Sequence, residues 1–302
     1  MAVDIPYRRE MAFDYGRLEP VAPGLRRIVA RNPSSFTFHG TGTYVVGEGR
    51  VAVIDPGPDD ADHIAALLQG LGDEVVSHIL VTHTHIDHSP GAAPLKAATG
   101  APTYGFGPHG SGRLEAAGQA AVQGGDMAFA PDRVLRDGDV VAGPGWTIEA
   151  VHTPGHTSNH LCFGWREPKV LFSGDHVMGW STSVITPPDG DMNDYMESLA
   201  RLLERDDETY WPTHGPAITD PKAHVAAFIA HRNEREAQIV RLLAERGPSL
   251  IMDLVPVIYA AVDPALYPAA ARSTFAHLLR LYDQGSAAAE PGATLDGRWR
   301  LR

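Results

Sequence analysis

The stretch that decides the fold lies at residues 82–88 and reads Thr82-His83-Thr84-His85-Ile86-Asp87-His88. It places three histidines and an aspartate within six positions. Neutral imidazoles and carboxylates are ligands suited to zinc, manganese or iron(II), so we expect these side chains to surround metal. The preceding run, Val75 to Val81, is short and rich in β-branched residues, which predicts a buried strand. The ligands would therefore lie in the loop at the carboxyl end of a strand, where open α/β sheets place their sites.

The spacing within this stretch separates its ligands into two groups. Side chains alternate along an extended backbone, so His83 and His85 point to the same side and can bind one ion together. Asp87 and His88 follow a turn of the chain and are free to face a second ion. A centre with two ions needs roughly seven ligands, which is more than this stretch supplies.

Three later loops repeat one arrangement that can supply the remaining ligands. In each, a short apolar strand is followed by a bend and then by one good ligand. The ligands are His156 in Thr-Pro-Gly-His-Thr, Asp175 in Ser-Gly-Asp-His and His214 in Pro-Thr-His-Gly-Pro. The pattern therefore predicts a metal centre assembled from several strand ends.

A histidine pair, an aspartate and a histidine followed by separate His, Asp and His residues resemble the signature of the metallo-β-lactamase superfamily. The resemblance runs from about Gly40 to Pro216 and includes Ile54-Asp55-Pro56-Gly57. It implies an α/β fold, namely an αββα sandwich with the site at one edge of its two sheets. The implied activity is hydrolysis by a hydroxide that bridges two divalent ions, zinc by preference, with manganese or iron as alternatives.

The resemblance also implies a role for each ligand. The first metal would be bound by His83, His85 and His156, and the second by Asp87, His88 and His214. Asp175 would bridge the two ions, and Asp87 and Asp175 are the candidate catalytic residues. Asp55 would hydrogen-bond to ligands and orient them. The position of His176 directly after Asp175, rather than the resemblance, suggests that it lines the pocket or hydrogen-bonds to a ligand, with a structural role as the alternative.

The segment after residue 220 predicts a second, smaller domain. We place a catalytic domain at residues 1–220 and a winged-helix domain at residues 221–302. Helical spacing predicts helices over 221–246, over Leu250 to Ala260 with a kink or early end at Pro256, and over Ala269 to Tyr282, with a hairpin after them. Ser249 is a candidate cap for the second helix. This domain resembles the carboxyl-terminal domain of the beta-lactamase-like protein 2 branch. The resemblance rests on two short motifs, His-Arg-Asn-Glu-Arg-Glu at 231–236 and Ala-His-Leu-Leu at 276–279.

Composition and charge restrict the location and partners of the chain. Its 302 residues carry a net charge of −12 and one cysteine, Cys162. A single cysteine allows no internal disulfide, and no run approaches the ~20 apolar residues of a membrane span. The first ten residues lack the apolar core of a signal peptide. We therefore expect a cytoplasmic protein that does not bind membranes.

Three hypotheses for function remain open at this stage. The first is an enzyme that hydrolyses a small ester, thioester, lactone or related acyl compound, and the second is an endoribonuclease for short single-stranded RNA. The third, a DNA-binding regulator, is disfavoured because a protein that only binds DNA does not need seven metal ligands. Duplex DNA is not expected as a partner, since the third predicted helix of the small domain carries only two basic residues, Arg272 and Arg280. We expect this domain to pack over the cleft, to help shape the pocket or to form a homodimer contact.

For two further histidines the favoured interpretation is one without a role in binding metal. His160 follows His156 by four residues, and a structural role on the following strand is the favoured interpretation over a contact with a ligand. His109 lies in a glycine-rich loop and is interpreted as a solvent-facing residue, with a lid over the substrate as the alternative.

Overall fold

Two facing β-sheets form the centre of the computed structural model, which describes residues 4–113 and 124–302. The first three residues of the predicted catalytic domain, and residues 114–123 within it, lie outside the described residues. The first sheet contains seven strands that are neighbours in chain order, antiparallel up to β4 and parallel from β4 onward. They are β1 Glu19–Ala22, β2 Leu25–Val29, β3 Gly42–Val46, β4 Arg50–Ile54, β5 Val75–Leu80, β6 Thr103–Gly105 and β7 Arg133–Val134.

The second sheet contains five strands in the order β12-β11-β10-β9-β8. Only the pair β11–β12 is parallel among them. The strands are β8 Val140–Gly143, β9 Trp146–His152, β10 Leu161–Trp165, β11 Val170–Gly174 and β12 Thr209–Pro212.

Helices cover the outer face of each sheet, and alternation along the strands explains why. On β4, Val51 and Val53 pack with helices α1 (Ala61–Leu71) and α2 (Ala92–Thr99), whereas Ala52 and Ile54 face the other sheet. On the far side, α3 (Met192–Glu204) and α4 (Pro221–Arg246) pack on the second sheet. Both faces of each sheet are therefore apolar. The predicted αββα sandwich is confirmed.

The carboxyl-terminal segment forms the predicted winged-helix domain. It contains β13 Ser249–Leu250, α5 Ile251–Ile258, a 3₁₀ turn Pro264–Leu266, α6 Tyr267–Asp283, β14 Ala287–Glu290 and β15 Arg298–Leu301. Ser249 was predicted to cap a helix, which is wrong, because it pairs with Trp299 in β13 and the Leu250 N–H is instead bonded to the Asp253 carboxylate at 3.1 Å. Helix α5 ends at Ile258, two residues after Pro256, as expected for an early end.

Helix α4 belongs to both hydrophobic cores. Its first half buries Val225 and Phe228 against the second sheet, and its second half buries Ile239 and Leu243 within the winged helix. The boundary between residues 220 and 221 stays a prediction, and one continuous helix joins the two cores just beyond it. Among the described residues, no helix combines the length and apolar character needed to cross a membrane.

Candidate metal centre

The predicted ligands converge at one edge of the sandwich because their strands end there. Strands β4 and β5 are parallel, as are β11 and β12, so the carboxyl ends of each pair lie side by side. The loops that follow β5, β9, β11 and β12 carry every predicted ligand. In the loop after β9, Gly155 has a φ of +137°, and a Cβ there would lie 2.4 Å from the Cα of Tyr195. Only glycine allows this loop to pack so closely on α3.

The first three histidines form one compact group. The Nδ1 atom of His85 lies 3.0 Å from the Nε2 atom of His83 and 3.0 Å from the Nε2 atom of His156. All three candidate ligand atoms lie within 4.8 Å of one another. This is the group that the sequence assigned to a first metal.

The second group contains Asp87, His88 and His214, whose ligand atoms also lie within 4.8 Å of one another. The Oδ2 atom of Asp87 is 3.1 Å from His214 Nε2 and 3.4 Å from His88 Nε2. Asp175 stands between the two groups. Its Oδ1 atom lies 3.4 Å from His214 Nε2, and its Oδ2 atom lies 3.7 Å from His156 Nε2. One carboxylate oxygen therefore faces each group, as a bridging ligand requires.

Hydrogen bonds from the opposite ring nitrogen orient two of these histidines. The Nδ1–H of His156 donates to the Val184 carbonyl at 2.6 Å, and that of His214 donates to the Gly40 carbonyl at 3.2 Å. A ring nitrogen that donates to a carbonyl leaves the other nitrogen with a free lone pair. Both rings therefore present Nε2 to the site.

Asp55 lies behind the second group and bonds to one of its predicted ligands. It is fully buried, and its Oδ2 atom accepts the Nδ1–H of His88 at 2.9 Å. The same carboxylate accepts the Thr82 N–H and hydroxyl, both at 2.7 Å, and the Thr213 hydroxyl at 3.1 Å. The two threonines were missed by sequence analysis, although each directly precedes a ligand, in Thr82-His83 and in Thr213-His214. The repeated Thr-His pair is the feature of the sequence that could have identified these two threonines.

The arrangement fits two divalent ions. Ligands bound at about 2.1 Å in a tetrahedron lie about 3.4 Å apart, and the contacts above scatter around that separation. The Nε2 atom of His88 and the Oδ1 atom of Asp175 are buried without a hydrogen-bond partner. Buried polar atoms without partners are rare in proteins, and a bound cation would satisfy both.

Electrostatics favour neutral histidines in the first group and positive charge in the second. Burial lowers the pKa of His85 to about 3 and holds the pKa of His83 well below its usual value, so both remain neutral as ligation requires. Burial also opposes a charge on His214, but the carboxylates of Asp175 and Asp87 outweigh it and raise the pKa of His214 to about 10. The pair of carboxylates therefore creates a field that attracts cations.

His160 and His176 have different roles from those of the ligands. The Nε2 atom of His160 accepts the backbone N–H of Asp175 at 3.2 Å, and its Nδ1–H bonds to Thr153 at 2.9 Å. His160 therefore contacts a predicted ligand, which is the alternative to the structural role favoured for it. For His176, the hydrogen bond to a ligand that was one of its alternatives is not formed. Both of its ring nitrogens are buried without partners, and the ring packs against Tyr195 at 4.6 Å. The side chain points into the core because β11 has already ended and the chain has turned at Gly174.

A cavity of about 710 Å³ opens onto the ligands. His109 lines it and is buried, with its Nδ1 atom 2.8 Å from the Thr84 hydroxyl. The interpretation of His109 as a solvent-facing residue is therefore wrong, because Asn159 bonds to the Gly107 and Pro108 carbonyls and holds this loop inward. Sequence analysis also missed Arg272, which lines the cavity from α6.

Comparison with known proteins agrees with this geometry. The profile of the metallo-beta-lactamase superfamily matches residues 37–214, which include every predicted ligand and Asp55. This chain belongs to the metallo-beta-lactamase superfamily. A profile of the beta-lactamase associated winged helix domain matches residues 251–299. Together they confirm the predicted fold and family, and they identify the chain as a hydrolase of this superfamily.

Individual relatives place the chain within the superfamily. A beta-lactamase-like protein 2 homolog of Drosophila melanogaster is 34% identical over 269 residues, covering 86% of this chain and 88% of that protein. An atrochrysone carboxyl ACP thioesterase of a Cryptosporiopsis species is 31% identical over 232 residues, which are 76% of this chain and 65% of the relative. The crystal structure of a beta-lactamase domain protein from Burkholderia ambifaria superimposes with a TM-score of 0.80 at 22% identity, covering 99% and 97% of the two chains. The Drosophila relative and the matched winged helix confirm the predicted branch.

Proposed function

We propose that this protein is a dinuclear metal-dependent hydrolase that cleaves a small ester, thioester, lactone or related acyl compound. The observation that carries the proposal is the pair of ligand groups that share Asp175 at the floor of one cavity. Two divalent ions held there, zinc by preference, would polarise the substrate and activate water at neutral pH. The thioesterase name of one relative agrees with acyl chemistry.

The protein's own residues position these ions and shape the space around them. Asp175 holds the two groups at a fixed separation, and Asp55 keeps the Nε2 atom of His88 directed at the site. The cavity walls beside the ligands include exposed apolar side chains, among them Phe36 and Ile86, which are 52% and 57% exposed. Such walls suit an acyl group better than a phosphodiester backbone, which would call for clustered cations.

Charge distribution also disfavours nucleic acid. The segment from Ala217 to Arg302 carries ten Lys or Arg and nine Asp or Glu, a net charge of +1. Because the whole chain carries −12, the first 216 residues carry −13. Of the two arginines on α6, Arg280 is paired with Glu236 at 2.8 Å and Arg272 faces the cavity. Neither is free for duplex DNA. Short single-stranded RNA remains the alternative substrate, and a homodimer and a cytoplasmic location remain expectations.

The test combines metal analysis with two hydrolysis assays on purified protein. We expect about two metal ions per chain, hydrolysis of acyl esters and thioesters, and no cleavage of a labelled single-stranded RNA. His83→Ala and Asp87→Ala should abolish the acyl activity, because each removes a ligand. Efficient RNA cleavage that is lost in Asp87→Ala would replace the acyl substrate with RNA. A protein free of metal that hydrolyses neither substrate would contradict the proposal.

A further inference from the structure

The winged-helix domain contributes part of the cavity wall beside the metal ligands. Five residues at the start of α6 and in the turn before it line the cavity that also contains His85, Asp87 and His214. They are Ala265, Leu266, Pro268, Ala269 and Arg272. This part of the cavity wall therefore comes from a domain that carries no predicted metal ligand.

Arg272 is held toward this cavity by the packing of its own helix. Residues four apart lie on the same face of a helix, and Ala276, one turn after Arg272, is buried in the core beneath the second sheet. The next turn is fixed by the ion pair between Arg280 and Glu236. The direction of Arg272 thus follows from contacts along most of α6.

The guanidinium of Arg272 has no partner within the part of the chain that the structure describes. It is half-buried, yet it takes part in no hydrogen bond, ion pair or stacking contact with the described residues. Other buried or half-buried arginines of this region have partners: Arg232 bonds to Ser183, Arg235 to the Ile258 carbonyl and Arg280 to Glu236. An arginine loses solvation when it is half-buried, and without a partner that loss is not offset.

Arg272 is also the one lysine or arginine among the cavity's described lining residues. The lining that Arg272 shares with the ligands also includes the apolar side chains of Phe36, Met178, Val184 and Leu266. A planar guanidinium binds carboxylate or phosphate groups through paired hydrogen bonds. Among its described lining residues the cavity therefore combines candidate metal ligands, apolar side chains and a single cationic side chain.

We propose that Arg272 binds an anionic group, a carboxylate or a phosphate, at the end of the substrate remote from the bond that is cleaved. The apolar wall contacts the segment that joins the two ends. Arg272 thus determines specificity, and it does so from the winged-helix domain. The inference rests on the proposed acyl hydrolase function, whose substrate class it narrows.

The test compares esters that differ only in remote charge. The 4-nitrophenyl monoester of adipic acid carries a terminal carboxylate, the hexanoate ester lacks it, and an ester ending in a phosphonate represents the other source of the anion. Arg272→Gln should lower kcat/KM for both charged esters roughly tenfold to a hundredfold, mainly through KM, and should leave the hexanoate unchanged. Arg272→Lys should recover part of the loss, because it retains the charge but not the paired geometry.

A matched control separates a local effect from a change in net charge. Arg241 is an exposed residue of α4 outside the cavity lining, and Arg241→Gln removes the same charge. Arg241→Gln should leave kcat/KM for all three esters unchanged. An equal loss on the neutral and charged esters, or no loss on the charged ones, would overturn the role of Arg272. A loss confined to one charged ester would identify the anion.

A binding measurement keeps the inference separate from the proposed function. The non-hydrolysable anilide of adipic acid can be titrated calorimetrically into the full-length, metal-loaded protein. We expect its affinity to fall roughly tenfold in Arg272→Gln, and unchanged affinity would refute the anion contact whether or not esters are hydrolysed. Failure of all ester hydrolysis with intact, Arg272-dependent binding would refute the acyl function alone.

Discussion

Replacing Asp55 by asparagine is expected to weaken binding of the second metal while the fold is retained. The oxygen Oδ2 accepts three hydrogen bonds, from His88, Thr82 and Thr213. An amide nitrogen in that position accepts none. The threonine hydroxyls can rotate toward other acceptors, but the Nδ1–H of His88 cannot. The neutral ring would then place its proton on Nε2, which is the atom that must bind the ion.

The expected loss of metal affinity follows from the hydrogen bond between His88 and Asp55. A hydrogen bond to a charged group contributes about 1.5–3 kcal/mol, and each 1.4 kcal/mol is tenfold in affinity. We therefore expect the second metal to bind roughly tenfold to a hundredfold more weakly, which is the range found when partners that orient metal ligands are removed. The backbone should adapt, because Asp55 has a φ of +48° and asparagine tolerates that conformation.

Calorimetric titration of zinc into metal-free protein measures this effect, with mass spectrometry to count the ions. Asp132→Asn is the matched control, because Asp132 also accepts an N–H and a hydroxyl, both from Thr103, far from the ligands. The control should bind two ions with unaltered affinity. Unchanged affinity for both ions in Asp55→Asn, or weakening of the first alone, would refute the orienting role of Asp55.

Three further predictions concern the surrounding structure. Burial lowers the pKa of His277 to about 4, so the unfolded chain takes up this proton before the folded one, and the free energy of unfolding falls by at most about 1.4 kcal/mol per pH unit as pH drops from about 6.5 toward 4. Urea unfolding in EDTA should show that the free energy of unfolding depends less on pH in His277→Leu, and an unchanged slope would contradict this. Arg232→Gln should weaken the first metal, because Arg232 holds the segment whose Val184 carbonyl accepts from His156, and metal titration showing two unaltered sites would count against it. Residues 1–220 expressed alone should aggregate, since their core is completed by α4, and a soluble fragment with a cooperative thermal transition would disprove that.

Sequence reasoning was most effective where chemistry and secondary structure coincide. The strand followed by His83, His85, Asp87 and His88 is a local pattern, and each later ligand also follows a strand directly. Because parallel strands end at one edge, the convergence of these loops could be anticipated without coordinates. The role expected for Asp55 came instead from the resemblance of Ile54-Asp55-Pro56-Gly57 to a motif of the superfamily.

What escaped sequence analysis depends on contacts between distant segments. Arg272 lies on a helix of ordinary composition, and only the packing of Ala276 in the core beneath the second sheet turns this face of α6 toward the cavity. His109 is drawn inward by Asn159, fifty residues later. His176 follows a ligand directly, but the turn at Gly174, with a φ of +52°, sends its ring into the core. No periodicity within one segment encodes such directions.

The central claim, a two-metal centre that hydrolyses acyl compounds, is tested most directly by adding zinc back to protein stripped with EDTA while thioester hydrolysis is followed. We predict that activity appears chiefly with the second equivalent and reaches a plateau at two ions per chain. Full activity at one equivalent would contradict the dinuclear account. Hydrolysis that is independent of zinc and of every other divalent ion would contradict the metal centre itself.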